Sequence, residues 1–302
     1  MARGALAAAG AGAALAVGLL HASERWLRPE RVHLTLPPVG GVEPLDFHSE
    51  DGVRLHGLLL RSEPGAPLAV FCHGYQRSIE ETFALAAEFH ARGYHSLCFD
   101  FRACGRSGGR YTTLGYREPA DVRAAVRAGI ARTGSERAVV HGISMGGASA
   151  ILAAASEPRI AGLATDSAFA ALLDAISQRL STVRPALRPA YDITRRIAQV
   201  LARANPASVR PVDAVPLLAP RPLFLIHSRA DEQVPYRQHE LLRAAARGPV
   251  EEWVVDGVPH AKMRFVYWEE YLARVDDFFR RALAMTHGAR PAPVAQPRTT
   301  SR

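Results

Sequence analysis

The residues best suited to chemistry lie in Gly142-Ile143-Ser144-Met145-Gly146, between the apolar run Arg137 to His141 and the small-residue run Ala148 to Ser156. A strand that enters a helix through one sharp turn holds the central residue in strained geometry and lifts its hydroxyl above the sheet. Flanking glycines leave room where side chains would collide. Ser144 is therefore a candidate nucleophile, the plainer alternative being a glycine-rich turn with a surface serine. A serine hydroxyl attacks poorly unless a base takes its proton, and that base needs a carboxylate to orient it. Two later loops offer both, each after an apolar run: Ser228-Arg229-Ala230-Asp231-Glu232-Gln233-Val234-Pro235, and Asp256-Gly257-Val258-Pro259-His260. Asp231 is the candidate acid, since it closes its loop just before Val-Pro, with Glu232 as competitor. His260 is the candidate base, and most other histidines read as surface or core filler. A developing oxyanion needs fixed donors. His73-Gly74-Tyr75, directly after the apolar run Leu68 to Cys72, would supply the Tyr75 N–H, and the turn after Ser144 the Met145 N–H. His73 itself then braces the loop and does not act as a base.

These loops need a scaffold that ends its strands on one edge. Leu45 and Phe47, the turn dipeptide Asp51-Gly52, then Val53, Leu55 and Leu59 predict a β-hairpin. Continuous apolar runs predict buried strands near 68–72, 95–99, 137–141, 161–165, 222–227 and 250–255. Between them, helical patterns fall near 118–132, 144–156, 236–247 and 262–284. Another opens at Ser78-Ile79-Glu80-Glu81, which has capping-box spacing, and stops at Gly93. Such alternation predicts an α/β fold, a mostly parallel sheet with helices on both faces. Residues 168–218 hold helical patterns near 168–181 and 190–203 but no strand, and read as a helical lid insertion.

Taken together, Val70-Phe71-Cys72-His73-Gly74, Asp100 to Ser107, Gly142 to Gly147, Pro220 to His227 with Asp231, and Pro259-His260 resemble the α/β-hydrolase superfamily over residues 42–284. The closest resemblance is to bacterial serine aminopeptidase-like and FrsA-like hydrolases, several of which carry an N-terminal anchor. In that fold the chain order is nucleophile, acid, histidine, each at the carboxyl end of a strand, as Ser144, Asp231 and His260 would be. The loop that commonly reads D-x-R-G-x-G-x-S has Ala103 and Cys104 here, an expected change in the pocket wall, and the His-Gly pair before the acid is His227-Ser228. A nucleophilic Ser sets the chain apart from the dehalogenase and epoxide-hydrolase branches, which use Asp.

Residues Gly4 to Leu20 form an apolar stretch flanked by Arg3, Glu24 and Arg25. They read as a membrane anchor of marginal length, with a signal segment or a simple N-terminal helix as alternatives. Cleavage after Ala22 would place Leu20 at −3, where a small residue is needed, so membrane attachment is expected over secretion. Residues 287–302 are polar, Pro-rich and aperiodic, as a disordered tail would be. The 302 residues carry a formal charge of +8, almost wholly from Arg, but no block of like charge, so no nucleic-acid partner is expected. Cys72 and Cys98 read as buried small hydrophobes, and Cys104 as a loop thiol open to solvent.

The expectation is a serine hydrolase cleaving a carboxylic ester, with a small-molecule or lipid-like acyl substrate and no metal or organic cofactor. A peptidase, thioesterase or acyltransferase would use the same parts. A catalytically silent binding protein is the non-enzymatic alternative.

Overall fold

The computed structural model describes residues 16–31, 41–181 and 185–286. Its eight strands are β1 (Val42–His48), β2 (Arg54–Leu60), β3 (Leu68–Cys72), β4 (His95–Phe99), β5 (Ala138–Ile143), β6 (Ile160–Asp166), β7 (Leu223–Ser228) and β8 (Val250–Val255). They form one sheet in the order β1-β2-β4-β3-β5-β6-β7-β8. The first two pair antiparallel around Asp51-Gly52, β2 pairs antiparallel with β4, and every later pairing is parallel. This is the α/β-hydrolase fold. All residues of β3 to β7 are buried, which only a sheet covered on both faces allows.

Side-chain alternation along the strands divides the interior in two. Leu68, Val70 and Cys72 pack with Val122 and Ala125 of α3 (Glu118–Thr133), Ile151 of α4 (Met145–Ala154) and Leu242 of α8 (Arg237–Ala245). Ala69 and Phe71 pack with Phe89 of α2 (Phe83–Ala91) and with Val275 and Phe279 of α10 (Trp268–Thr286). Between β6 and β7 run α5 (Leu172–Ser181), α6 (Arg188–Ala202) and the short α7 (Pro211–Ala214). The pattern expected at 262–284 is broken at Tyr267, giving α9 (Met263–Val266) before α10.

Four expectations need correction. No described helix is long and apolar enough to cross a membrane, which overturns the transmembrane anchor. The described part of that region is a helix over 16–27, α1, which carries Glu24 and Arg25 and buries Ser23 and Leu27 against its own domain. Residues 1–15 and the tail 287–302 lie outside the described residues. Second, Cys104 is not open to solvent: all three thiols are free and buried, and burial holds each well above the ordinary thiol range. Third, Ala103 and Cys104 pack into the interior and do not line the pocket. Fourth, Ser78 caps a single 3-10 turn, Ile79–Glu81, and Thr82 precedes α2, so Glu81 is freed from the capping box.

Candidate active site

The turn from β5 into α4 places Ser144 at φ 53° and ψ −114°, a region that non-glycine residues rarely occupy. Two neighbours hold it there. The Ser144 N–H donates to the Asp166 carbonyl at the end of β6 (2.8 Å), and its own carbonyl accepts from the Ala148 N–H (3.0 Å). The glycines serve close approach: a Cβ on Gly142 would stand 2.6 Å from Gly146 and Gly147 backbone atoms, and one on Gly146 would stand 2.4 Å from the Cys72 carbonyl oxygen.

The three chain-distant residues meet at this turn. His260 Nδ1 lies 2.6 Å from Asp231 Oδ2, and His260 Nε2 lies 3.0 Å from Ser144 Oγ. The second Asp231 oxygen accepts from the Gln233 and Val234 N–H groups (2.9 and 2.8 Å), so the carboxylate is held from both sides. Glu232 is exposed and has no part in the contact. Because Asp231 is acceptor-only when ionised, Nδ1 of His260 carries the proton and Nε2 faces the serine as an acceptor. Nearby His227 is buried and its pKa is pushed down to about 4 by that burial, which keeps it neutral and leaves Nε2–H to donate to the Val234 carbonyl (2.9 Å).

The loop after β3 aims the first expected oxyanion donor. His73 is wholly buried, and burial lowers its pKa, so the ring is neutral. Its Nε2 accepts from the Phe101 N–H (3.0 Å), which leaves Nδ1–H to donate to the Gly74 carbonyl (2.7 Å). In a trans peptide the carbonyl and the next N–H point opposite ways. Fixing Gly74 O therefore also fixes the direction of the Tyr75 N–H, on the opposite side of the same peptide. Among the described residues, neither this amide nor that of Met145, first in α4, donates to another protein group.

Sequence reasoning missed two supports. Glu81 accepts the Gly74 N–H at Oε2 (2.7 Å) and pairs through Oε1 with buried Arg264 (3.1 Å), whose guanidinium also donates to the Ala261 carbonyl (2.6 Å) beside His260. One ion pair thus ties the oxyanion loop to the histidine loop. The only available sequence signal was a capping-box pattern, which pointed elsewhere. Glu81→Gln is expected to lower kcat about tenfold with KM nearly unchanged, because the donor is misaimed but the pocket keeps its shape. Steady-state kinetics on an ester test this, and a change in KM alone would contradict it. The other support is Asp166-Ser167. Buried Asp166, its pKa raised by burial, accepts from Ser167 Oγ and Tyr271 Oη, while Ser167 Oγ accepts the Ala261 N–H (3.1 Å). The end of β6 so positions both Ser144 and the loop of His260.

Above Ser144 opens a cavity of about 700 Å³, the size of a small-molecule site. Its walls are largely apolar, including Leu114, Phe169, Leu172, Ile176 and Val234, and Glu81 is its only carboxylate among the described residues. The described residues contain no cluster of His, Cys, Asp and Glu able to hold a metal.

The profile of the family described as serine aminopeptidase, S33, matches residues 65–222, more than half of the chain. The chain belongs to this S33 family. An uncharacterized protein of Mycobacterium tuberculosis H37Rv is 30% identical over 218 residues, 70% of either chain. The uncharacterized protein YfhR of Escherichia coli K12 is 25% identical over 222 residues, covering 70% of this chain and 71% of YfhR. Among solved structures, the esterase Pf2001 of Pyrococcus furiosus superposes with a TM-score of 0.69 at 26% identity, over 84% of this chain and 99% of that one. This S33 family member is thus a hydrolase by family and fold.

Proposed function

We propose that this S33-family hydrolase cleaves carboxylic esters through an acyl-enzyme on Ser144. The reading is carried by the unbroken hydrogen-bond chain Asp231–His260–Ser144 at the floor of a cavity whose lining is more apolar than polar. In this mechanism His260 Nε2 takes the Oγ proton as Ser144 attacks the acyl carbon, and Asp231 stabilises the imidazolium. The carbonyl oxygen becomes an oxyanion and accepts from the Tyr75 and Met145 N–H groups. Collapse breaks the C–O bond, and His260 gives its proton to the leaving alcohol. Water then loses a proton to His260 as it attacks the acyl carbon, and the acid departs as Ser144 recovers its hydrogen.

The lining favours an ester over a peptide amino terminus. An aminopeptidase must hold a substrate ammonium, which calls for an available carboxylate. Glu81 is committed to Gly74, Arg264 and Arg77, and the other charged side chains on the lining beside the catalytic histidine candidate, Arg195 and Lys262, are cationic. The similarity to Pf2001, named an esterase, supports the same reading.

Labelling by a fluorophosphonate probe tests the proposal: wild type should label and Ser144→Ala should not. A folded wild type that neither labels nor hydrolyses p-nitrophenyl butyrate would favour the silent binding protein instead.

A further inference from the structure

The described helix at the end of the expected anchor segment lines the cavity over Ser144. Ser23 of α1 is wholly buried, its Oγ 2.7 Å from the Leu19 carbonyl and 3.0 Å from the Thr194 carbonyl of α6. Leu27 is buried against Ala198 and Ala202, also on α6. At the end of the helix, the Leu27 carbonyl accepts from the Thr112 N–H (2.9 Å), and beyond it Arg31 donates to the Ser107 and Gly109 carbonyls. The segment is therefore clamped at one side by the insertion and at the other by the loop after β4.

Its inner face reaches the site. Trp26 and Leu27 both line the cavity that opens over Ser144. The Trp26 ring lies 4.7 Å from that of Tyr191 on α6, and Tyr191 lines the same cavity. The Trp26 carbonyl accepts from the hydroxyl of Tyr75, the residue proposed to give one oxyanion N–H. Trp26 thus borders the cavity beside Tyr191 and the Tyr75 hydroxyl, an apolar face available to a chain that extends away from Ser144.

The geometry points to α1 as a wall of the acyl-binding cavity, with Trp26 as a specificity-determining residue for apolar acyl chains of medium length. This rests on the esterase reading for its catalytic consequence, but the wall itself is a binding feature. Tryptophan suits that place because it offers a large rigid apolar face at small entropic cost.

The test uses the full-length chain and two readouts. In the first, decanoate is titrated calorimetrically into the Ser144→Ala protein with and without Trp26→Ala; the second substitution should weaken binding about tenfold, the equivalent of one lost apolar wall contact. In the second, p-nitrophenyl acetate and decanoate are compared in the serine-containing proteins. Trp26→Ala should lower kcat/KM for the decanoyl ester about tenfold while the acetyl ester changes less than about threefold. Trp26→Phe, which keeps apolar bulk in the α1–α6 contact, should show the same selectivity at smaller size and serves if the alanine variant does not fold. Equal decanoate affinity with and without Trp26, or a loss that is the same for both esters, overturns the proposal. The calorimetric arm decides the wall even if wild type turns over neither ester, an outcome that would count against the esterase reading alone.

Discussion

Ser144→Ala is expected to lower kcat for a p-nitrophenyl ester by on the order of 10^4 to 10^6, and adding His260→Ala to it should cost almost nothing more. The reason is geometric. The 3.0 Å contact from His260 Nε2 to Ser144 Oγ carries the hydroxyl proton away in acylation and back in deacylation, so without Ser144 no acyl-enzyme forms and the base has no such step to serve. Asp231→Asn should lose less, because the serine and its base remain. Single, double and wild-type proteins assayed on one ester decide the matter. Additive losses would mean that the two side chains act independently and that the proposed unit is wrong.

The second large effect falls on folding. Gly146→Ala should destabilise the protein by about 4 kcal/mol or more, or prevent soluble expression, since its Cβ would sit 2.4 Å from the Cys72 carbonyl oxygen and 2.5 Å from that of His73. Both atoms belong to the backbone where β3 becomes the oxyanion loop, and they cannot swing aside. Gly134→Ala provides the comparison. It has open space around its Cβ but sits at φ 76°, so only the left-handed backbone is penalised, by about 1 kcal/mol. Urea midpoints for the two variants separate collision from backbone strain. A Gly146→Ala protein as stable as wild type would show that β3 and α4 are less tightly apposed than the structure has them.

Local signals in the chain reached the sheet and the three residues that meet at the nucleophile turn. Strands such as Leu68–Cys72 and Ala138–Ile143 are unbroken apolar runs because they are buried on both faces, and that burial leaves its mark on composition. Ser144, Asp231 and His260 each stand in a loop after such a run, where position along the chain already implies position on the sheet edge. The N-terminal segment misled for a related reason. Its apolar run Gly4 to Leu20 carries no mark of what it faces, and in the described part Val17 and Leu20 are exposed while Ser23 and Leu27, just beyond the run, are buried against α6.

The amino-acid sequence by itself determined the order of the elements, the edge on which their loops gather, and the sharp glycine turn around Ser144, because each depends on neighbours close in the chain. Tertiary structure alone decided that Glu81 leaves its helix cap for Gly74 and Arg264, that Asp166 and Ser167 join the serine turn to the histidine loop, and that Trp26 lines the cavity. Those contacts join residues up to 183 positions apart. No local periodicity records them, since they depend on how far one loop leans over another once the sheet has formed.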